Sequence, residues 1–540
     1  MIAVALADVV LLGAAAVYVV ASVLLLILGL NLIALSMIAW RAGRIGGTRE
    51  SGIGGAAAAA GGDVSDRAVD DPGLPSVTVQ LPIFNELYVA ERIIGAAAAL
   101  QYPADRLQIQ VLDDSTDETA QLIAETVQRL AADGIDIVHH HRTDRTGYKA
   151  GALAAGMATA TGEFVAVFDA DFVPEPDFLL RVIGEFDDPE VAFVQGRWCH
   201  LNRNHSPITK LQALAIDAHF LVEQTARRQR GFWFNFNGTA GVWRAAAIHD
   251  AGGWTADTLT EDLDLSYRAH LRGWRGRYRA DVAVPGELPY HVAGFRRQQH
   301  RWARGSLECA RKLLPAVWRS PATALTKFEA TTHLTAYGIH LLLFVIALLY
   351  PLIVAGGARI GGYGTLYGLG YVFALSSLAP GIFFITGVYR SKRPVVREAP
   401  RVLLASILGS GLMLNTVRAA AQIVTEPNPE FERTAKFGTA AEQNAKRDTR
   451  RSGRYLLGLD RIVIGEVLFG LYCTYAAVVA AQERNWGIVL YATVFAAGLL
   501  SLAAITVYQA AAVRRGRTGD PKAANLLRSN EPETSWTASS

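Results

Sequence analysis

The sequence predicts an α/β domain inserted between helices that cross a membrane or lie on its surface. The chain has 540 residues, too many for one typical domain. Hydrophobic residues make up 51% of it and charged residues 19%, which is typical of a membrane protein with a substantial soluble part. Between apolar segments at the two ends, strand-like and helix-like stretches alternate from Val77 to about Gly294. This alternation predicts a largely parallel, doubly wound sheet.

The N-terminal segment predicts one membrane-spanning helix in residues 1–40. The stretch from Ile2 to Trp40 is almost wholly apolar, and a spanning helix needs ~20 such residues. Arginines follow at once, which places this end of the helix in the cytoplasm. Residues 41–76 turn to Gly, Ala, Ser and Asp and predict a flexible linker. The α/β domain is then expected over residues 77–294.

The C-terminal part predicts further membrane helices. Residues 295–330 are basic and aromatic and predict interfacial helices. Two spans are expected in residues 331–390 and two in 459–513, before a polar tail at 514–540. Val402–Val424 is apolar enough to span, but a span there would place the basic residues near Arg450 outside. We therefore expect an interfacial or re-entrant helix within 391–458, and a multi-pass protein of the bacterial inner membrane with its α/β domain in the cytoplasm.

Charge and cysteine usage exclude some classes of protein. The net charge is only +3, and the basic residues lie beside apolar segments, so they indicate membrane topology and not nucleic-acid binding. The three cysteines, Cys199, Cys309 and Cys473, are widely separated. Their spacing predicts neither a disulfide framework nor a cysteine-based zinc site.

An apolar run that ends in two carboxylates indicates the candidate site. Phe164 to Phe168 has the composition of a buried strand, and Asp169 and Asp171 follow it. Ligands bind at the carboxyl ends of strands in open α/β sheets. Two neighbouring carboxylates repel each other unless a cation lies between them, and Mg²⁺ or Mn²⁺ suits oxygen ligands. The pair could equally be two solvated turn carboxylates.

Two further features precede this strand. Asp113 and Asp114 end a neighbouring strand, so they are expected at the same edge of the sheet, although they could simply cap a turn. The segment Gly147–Leu153 carries glycines that allow close backbone approach. Its Lys149 can meet a nucleotide phosphate, or it can be an ordinary surface lysine.

Two features follow the strand. Thr260 is expected to cap a helix, whose dipole would hold Glu261 and Asp262 ionised. An ionised carboxylate can accept a proton from an attacking hydroxyl, although the segment could also be capping alone. In the motif Gln298-x-x-Arg301-Trp302, the arginine can bind a leaving pyrophosphate and the tryptophan offers a face for a sugar ring. This motif could instead be a membrane anchor.

Taken together, these motifs resemble those of the cellulose synthase superfamily, the processive inverting glycosyltransferases of family two. The order Asp-Asp, Asp-x-Asp, Thr-Glu-Asp and Gln-x-x-Arg-Trp is that of the family. The segments Gly147–Leu153 and Phe236–Arg244 resemble the cellulose-synthase-like mannan and glucomannan synthases. The resemblance covers about Val77 to Leu314. It implies a cytoplasmic glycosyltransferase-A (Rossmann-like) domain.

The resemblance also implies roles for individual residues. Asp262 would be the general base, with Glu261 and Thr260 beside it. Asp169 and Asp171 would hold Mg²⁺ or Mn²⁺. The expected nucleotide-sugar-binding residues are Asp113, Asp114, Lys149, Asp169, Gln298, Arg301, Thr434 and Lys436. The expected acceptor-binding residues are Trp302, Phe236, Asn237, Gly238 and Thr239.

The segment Phe431–Lys436 supplies the last two donor-binding residues. It resembles a loop that closes over bound donor in cellulose synthases. It departs from the usual pattern at Arg433, where that loop carries valine. The role of Thr434 and Lys436 therefore rests on a weaker match than that of the other residues.

The expected function is processive synthesis of a β-linked polysaccharide. A hexose would pass from UDP-glucose, the favoured donor, or from GDP-mannose to the non-reducing end of the growing chain with inversion. The membrane helices would then translocate the polymer, with or without an accessory export subunit. One alternative is a non-processive enzyme that adds a single sugar to a lipid, which the size of the product would reveal. Another is a glycan-binding pseudoenzyme, which unchanged transfer by Asp262→Asn would favour.

Overall fold

The structure is a computed structural model that describes residues 2–43, 66–359, 375–426 and 460–517. The expected donor loop Phe431–Lys436, with Thr434 and Lys436, lies outside the described residues. The first described helix, α1 (Ile2–Arg41), accounts for the apolar N-terminal segment.

The α/β domain is built on a seven-stranded sheet with the order β3-β2-β1-β4-β6-β5-β7. Within it, β6 alone runs antiparallel to its neighbours. The predicted largely parallel α/β fold is therefore confirmed, whereas the short β6 and the long β7 were not predicted. The strands are β1 (Val77–Ile83), β2 (Leu107–Asp113), β3 (Ile137–His141), β4 (Phe164–Val167), β5 (Val191–His200), β6 (Gly241–Arg244) and β7 (Arg275–Gly286).

Helices cover both faces of the sheet. Central strands such as β4 are buried on both faces, which explains their continuous apolar sequence. One hydrophobic core lies under α2, α3 and α5, and the other under α4, α8 and α9. The helices of the domain are α2 (Ala90–Ala98), α3 (Thr119–Ala132), α4 (Tyr148–Met157), α5 (Phe178–Val182), α6 (Pro207–Ala218), α7 (Thr225–Arg230), α8 (Ala245–Asp250) and α9 (Glu261–Leu271).

The C-terminal part is helical throughout its described residues. Five described helical segments are long and apolar enough to cross a membrane: Ala7–Arg41, Gly338–Gly357, Val395–Thr425, Ile462–Gln482 and Trp486–Ala511. This set includes the ambiguous segment Val402–Val424, whose interfacial placement stays a prediction. The second of the two spans expected in residues 331–390 lies partly outside the described residues. The helices are α10 (Val292–Arg319), α11 (Ala324–Leu334), α12 (Gly338–Arg359), α13 (Leu378–Arg390), α14 (Val395–Gly411), α15 (Met413–Thr425), α16 (Ile462–Gln482) and α17 (Trp486–Arg517).

A buried ion pair fixes the start of α10 to the membrane helices. Arg296 donates to Glu466 Oε2 on α16 at 2.9 Å and to Thr506 Oγ1 on α17 at 3.1 Å. Its carbonyl accepts a hydrogen bond from Asn415 on α15 at 3.1 Å. Arg296 is 2% exposed and Glu466 is fully buried, so removing one partner would leave an uncompensated buried charge. Because α10 also carries Gln298 to Trp302, this pair positions those residues relative to the helices behind them.

Candidate active site

The carboxyl ends of β1, β2 and β4 open into a pocket that the starts of α9 and α10 complete. The structure brings most of the predicted site residues to this pocket, although they come from six separate segments of the chain. The predicted residues that line it are Asp114, Lys149, Asp169, Asp171, Asn237, Gly238, Thr260, Glu261, Asp262, Gln298, Arg301 and Trp302.

Lys149 lies among the carboxylates of the pocket. Its Nζ is 2.6 Å from Asp169 Oδ1 and 3.5 Å from Glu261 Oε1, and it donates to the carbonyl of Gly238 at 2.8 Å. Burial lowers the pKa of Lys149, but the nearby carboxylates outweigh this effect and raise it. The ammonium therefore stays charged, and Lys149 is a pocket residue and not a surface lysine.

Asp169 and Asp171 follow β4 at the edge of the sheet. The backbone N–H of Asp169 donates to Thr239 Oγ1 at 2.8 Å, which fixes the start of the turn. Burial raises the pKa of Asp169, while Lys149 opposes the rise and Asp171 adds to it. Asp171 thus lies close enough to Asp169 to disfavour the charge on Asp169.

The charges around the pocket fit a divalent cation. Among the described residues that line it, seven are carboxylates and three are cations. Hard oxygen ligands in excess of local positive charge are the donor set that Mg²⁺ and Mn²⁺ take in proteins. The carboxylates are Glu86, Asp114, Asp169, Asp171, Glu261, Asp262 and Glu287, and the cations are Arg145, Lys149 and Arg301.

Asp262 lies in the first turn of α9, as predicted, but its electrostatic state differs from the prediction. Thr260 occupies the N-cap position without a capping hydrogen bond from its side chain, and its Oγ1 lies 3.4 Å from Cys309 Sγ. Burial and the adjacent Glu261 raise the pKa of Asp262 to about 7, although its Oδ1 accepts the backbone N–H of Leu263. The predicted N-cap position of Thr260 is therefore confirmed, although its side chain does not form the capping bond, and the prediction that the helix dipole holds Asp262 fully ionised is wrong. A carboxyl that titrates near neutral pH is well suited to general-base chemistry.

The loop before β6 touches the groups at the centre of the pocket. Gly238 has φ of +79°, and a Cβ there would lie 3.0 Å from Asp262 Oδ2 and 3.3 Å from Lys149 Nζ. Thr239 is buried and supports Asp169 from behind. The Phe236 side chain is fully buried in the core beside Phe193, so it supports the loop and does not line the pocket.

Asn237 is held by a widened helical turn that sequence patterns did not indicate. Residues His219–Gln224 form a π-helical turn between α6 and α7, a feature often found at functional sites. The Asn237 amide donates to His219 Nε2 at 3.1 Å and accepts from Gln224 Nε2 at 2.8 Å. The His219 ring is held in turn by Glu223, whose Oε2 lies 2.9 Å from Nδ1. The Asn237 side chain is thereby fixed where it lines the pocket.

Close packing between α9 and α10 directs the Gln298-x-x-Arg301-Trp302 motif into the pocket. A Cβ at Gly305 would lie 2.5 Å from Thr260 Cγ2, so only a glycine allows this approach. Glu308 Oε2 also accepts the backbone N–H of Leu259 at 2.9 Å. The Trp302 ring lies 6.5 Å from that of Trp198 on β5, and both line the pocket. Trp198 was not predicted as a site residue, because the end of β5 was not expected to reach the pocket.

The Asp113–Asp114 pair is divided between two environments. Asp114 lines the pocket and accepts hydrogen bonds from Arg142 at 2.7 and 2.6 Å. Asp113 is fully buried and is not among the described residues that line the pocket. Its Oδ1 accepts the backbone N–H of Ser115 at 2.8 Å, and its Oδ2 faces two histidines of β3. The Asp113 side chain therefore faces away from the pocket in this conformation, and its expected role in nucleotide binding stays a prediction.

Arg145 is a pocket residue that sequence analysis overlooked. Its guanidinium carbon lies 3.4 Å from the ring centroid of Phe84, a cation–π distance, and both residues line the pocket. In the sequence, Arg145 is a cation two positions before Gly147, in the segment that carries Lys149. This position was the available signal that it reaches the pocket.

Comparisons with known proteins identify the class of this domain. Residues 75–305 match the family described as glycosyltransferase like family 2. Together with the observed sheet, this match confirms the predicted glycosyltransferase-A fold class and the resemblance drawn from the motifs. Residues 75–305 are therefore similar to the glycosyltransferase family 2 domain.

The chain is also similar to individual glycosyltransferases. The chain is 46% identical over 260 residues to glucomannan 4-beta-mannosyltransferase 2 of Arabidopsis thaliana, which is 47% of this chain and 49% of the relative. It is 44% identical over 268 residues to glucomannan 4-beta-mannosyltransferase 1 of Oryza sativa, which is 48% of this chain and 51% of the relative. The matches thus span about half the length of these relatives. Among solved structures, a mannosyltransferase from Pyrobaculum calidifontis in complex with GDP-Man and Mn²⁺ is 21% identical, with a TM-score of 0.41, over 68% of this chain and 99% of the other.

Proposed function

We propose that the protein is an inverting hexosyltransferase that extends a β-linked polysaccharide with sugar from a nucleotide donor. The observation that carries this proposal is the pocket itself. It brings a carboxyl that titrates near neutrality, Asp262, into one pocket with the carboxylates Asp169 and Asp171 and with Arg301. A single displacement at an anomeric carbon requires a general base and a diphosphate site within one pocket.

The proposed reaction is one in-line displacement. The acceptor hydroxyl attacks the anomeric carbon, its proton passes to Asp262, and the bond between that carbon and the diphosphate oxygen breaks. Arg301 and Lys149 bind the departing nucleoside diphosphate. Asp169 and Asp171 would hold Mg²⁺ or Mn²⁺, which when bound neutralises the developing negative charge on the diphosphate.

The proposed donor is GDP-mannose. The support comes from relatives at 46% and 44% identity that are glucomannan 4-beta-mannosyltransferases. The resemblance to the superfamily as a whole favoured UDP-glucose, whereas the closest motifs pointed toward GDP-mannose, so UDP-glucose is the donor to test against. Both donors carry a diphosphate, which Lys149, Arg301 and the two candidate metal ligands of the pocket would bind. The choice between the donors therefore depends on the base and the sugar.

The proposed acceptor is the end of a growing glycan. Trp302 and Trp198 offer apolar ring surface to a sugar, and Asn237 offers a fixed amide beside them. The ion pair between Arg296 and Glu466 ties α10 to helices that are long enough to span a membrane. This link supports a site at the cytoplasmic surface of a membrane, from which the product would be translocated, with or without an accessory subunit.

Membrane vesicles that contain the protein provide the test. They are incubated with radiolabelled GDP-mannose or UDP-glucose, and the products are sized and digested with linkage-specific glycanases. The proposal predicts a polymer from GDP-mannose that β-mannanase degrades, and no polymer with Asp262→Asn. A lipid-linked single sugar would support the non-processive alternative, and polymer from UDP-glucose alone would overturn the donor assignment.

A further inference from the structure

A three-residue cluster lies at the edge of the sheet, outside the pocket. Asp113 ends β2, and His139 and His141 lie on the edge strand β3 beside it. We propose that this cluster is a binding site for a transition-metal ion of the Zn²⁺ class. The site is separate from the Mg²⁺ or Mn²⁺ site proposed for the pocket.

The geometry of the ligand atoms carries the proposal. Asp113 Oδ2 lies 3.0 Å from His139 Nε2 and 2.9 Å from His141 Nδ1. All three atoms lie within 4.8 Å of one another. Zinc forms bonds of ~2.0–2.1 Å to oxygen and nitrogen in a tetrahedral arrangement, which places neighbouring ligand atoms roughly 3.3 Å apart. The two carboxylate–imidazole distances are therefore close to the spacing of neighbouring zinc ligands.

The surroundings have the other features of a metal site. The second carboxylate oxygen, Asp113 Oδ1, accepts the backbone N–H of Ser115, which orients the carboxylate. The Asp113 side chain is fully buried, while those of His139 and His141 are 18% and 38% exposed. The ion can therefore enter from solvent through the histidines, and water can fill the open coordination positions.

The ligand chemistry separates this site from the pocket. Two imidazoles and one carboxylate favour zinc and its neighbours, whereas the pocket carboxylates offer oxygen alone. No cysteine is needed, which is why a search of the sequence for cysteine spacing did not indicate the site. The signal was the His-x-His spacing on a strand, because alternate residues of a strand share one face.

The same strand supplies a matched control. His140 lies between the two ligands in sequence and therefore points to the opposite face, where its Nε2 is 3.2 Å from Thr159 Oγ1. Replacing His140 changes the histidine content of β3 without removing a proposed ligand. Glutamine is the replacement of choice at all three positions, because it can still hydrogen-bond.

The test uses the full chain in detergent, stripped with a chelator and kept in excess Mg²⁺ to occupy the oxygen-only site. Co²⁺ is titrated as the probe, since tetrahedral Co²⁺ absorbs strongly in the visible range and octahedral Co²⁺ weakly. We expect one equivalent to bind with strong visible absorption. His139→Gln and His141→Gln should each weaken binding at least about tenfold, and His140→Gln should not.

Three results would overturn the proposal. The first is the absence of strong visible absorption at one equivalent of Co²⁺. The second is equal Co²⁺ affinity in the wild type and in His141→Gln, whose folding is checked by its melting temperature. The third is failure of Zn²⁺ to displace the bound Co²⁺ and abolish the absorption. Since the readout involves no sugar transfer, its outcome is independent of the proposed glycosyltransferase activity.

Discussion

Carboxylates end two strands on either side of β1, and their surroundings differ. After β4, Asp169 and Asp171 face an open pocket, where the ammonium of Lys149 lies 2.6 Å from Asp169 Oδ1. At the end of β2, Asp113 is fully buried against two imidazoles of the edge strand. The same residue type at the same edge of one sheet thus faces two different chemistries. What a carboxylate at a strand end can bind therefore depends on the side chains that face it, and not on its position at the strand end.

The largest effect that this comparison predicts concerns the pocket carboxylates. Asp171→Asn, or removal of divalent cations with a chelator, should lower sugar transfer by about a thousandfold, because charge on the leaving diphosphate would be left uncompensated. Initial rates with radiolabelled donor measure it. Asp136→Asn, at an exposed carboxylate before β3, is the control and should keep full activity. Full sugar transfer by Asp171→Asn would contradict a role for a bound metal ion in the reaction.

The pH dependence of transfer should follow Asp262. Because burial and Glu261 raise the pKa of this carboxyl to about 7, its basic form is lost as the pH falls through that value. At pH 5 about one molecule in a hundred would carry the ionised base, so the rate should fall about a hundredfold from its plateau. The measurement is the pH profile of kcat under saturating donor. A rate that is flat between pH 5 and 8 would contradict this role.

A smaller effect on kcat is expected from a substitution at Gly238, in the loop before β6 that lies close to Asp262 and Lys149. Gly238→Ala would place a methyl 3.0 Å from Asp262 Oδ2 and should lower kcat about tenfold through displacement of the base. Gly253→Ala is the matched control, because Gly253 has a similar φ of +75° but open space around it. Both variants carry the same backbone strain, so melting temperatures should fall alike. Equal kcat values in the two variants would show that strain alone is at work.

The smallest effect concerns stability and the cluster on β3. An ion that binds the folded chain alone, at a hundred times its Kd, stabilises it by about 2.7 kcal/mol. Zn²⁺ in excess Mg²⁺ should therefore raise the melting temperature of the detergent-solubilised protein on the order of 5 °C. The shift should be absent in His141→Gln and present in His140→Gln. A shift shared by all three proteins would place the ion elsewhere.

The sequence predicted the pocket better than the cluster, for a physical reason. An apolar run followed by Asp169 and Asp171 marks a strand end from local pattern alone. The neighbours of Asp113 depend instead on the register of two strands, in which Asp113 pairs with His141. Register arises from packing between elements and has no local signature.

Other differences between the predicted and the observed structure also have physical causes. The strand β6 has only four residues, too few for an alternating pattern to emerge. The rise in the pKa of Asp262 depends on burial, which the sequence around α9 does not reveal. The motif residues Gln298, Arg301 and Trp302 of α10 were predicted because their residue types alone indicate binding of a diphosphate and a sugar. The buried partner of Arg296, Glu466 on α16, is 170 residues away and could be found only in the fold.

The most direct test of the central claim separates donor binding from sugar transfer in one variant. Asp262→Asn removes the base and keeps the shape of the side chain. The account predicts an unchanged Kd for GDP-mannose by calorimetry, together with a loss of transfer of about a thousandfold or more. Wild-type transfer by this variant would contradict the assignment of Asp262 as the general base of a glycosyltransferase.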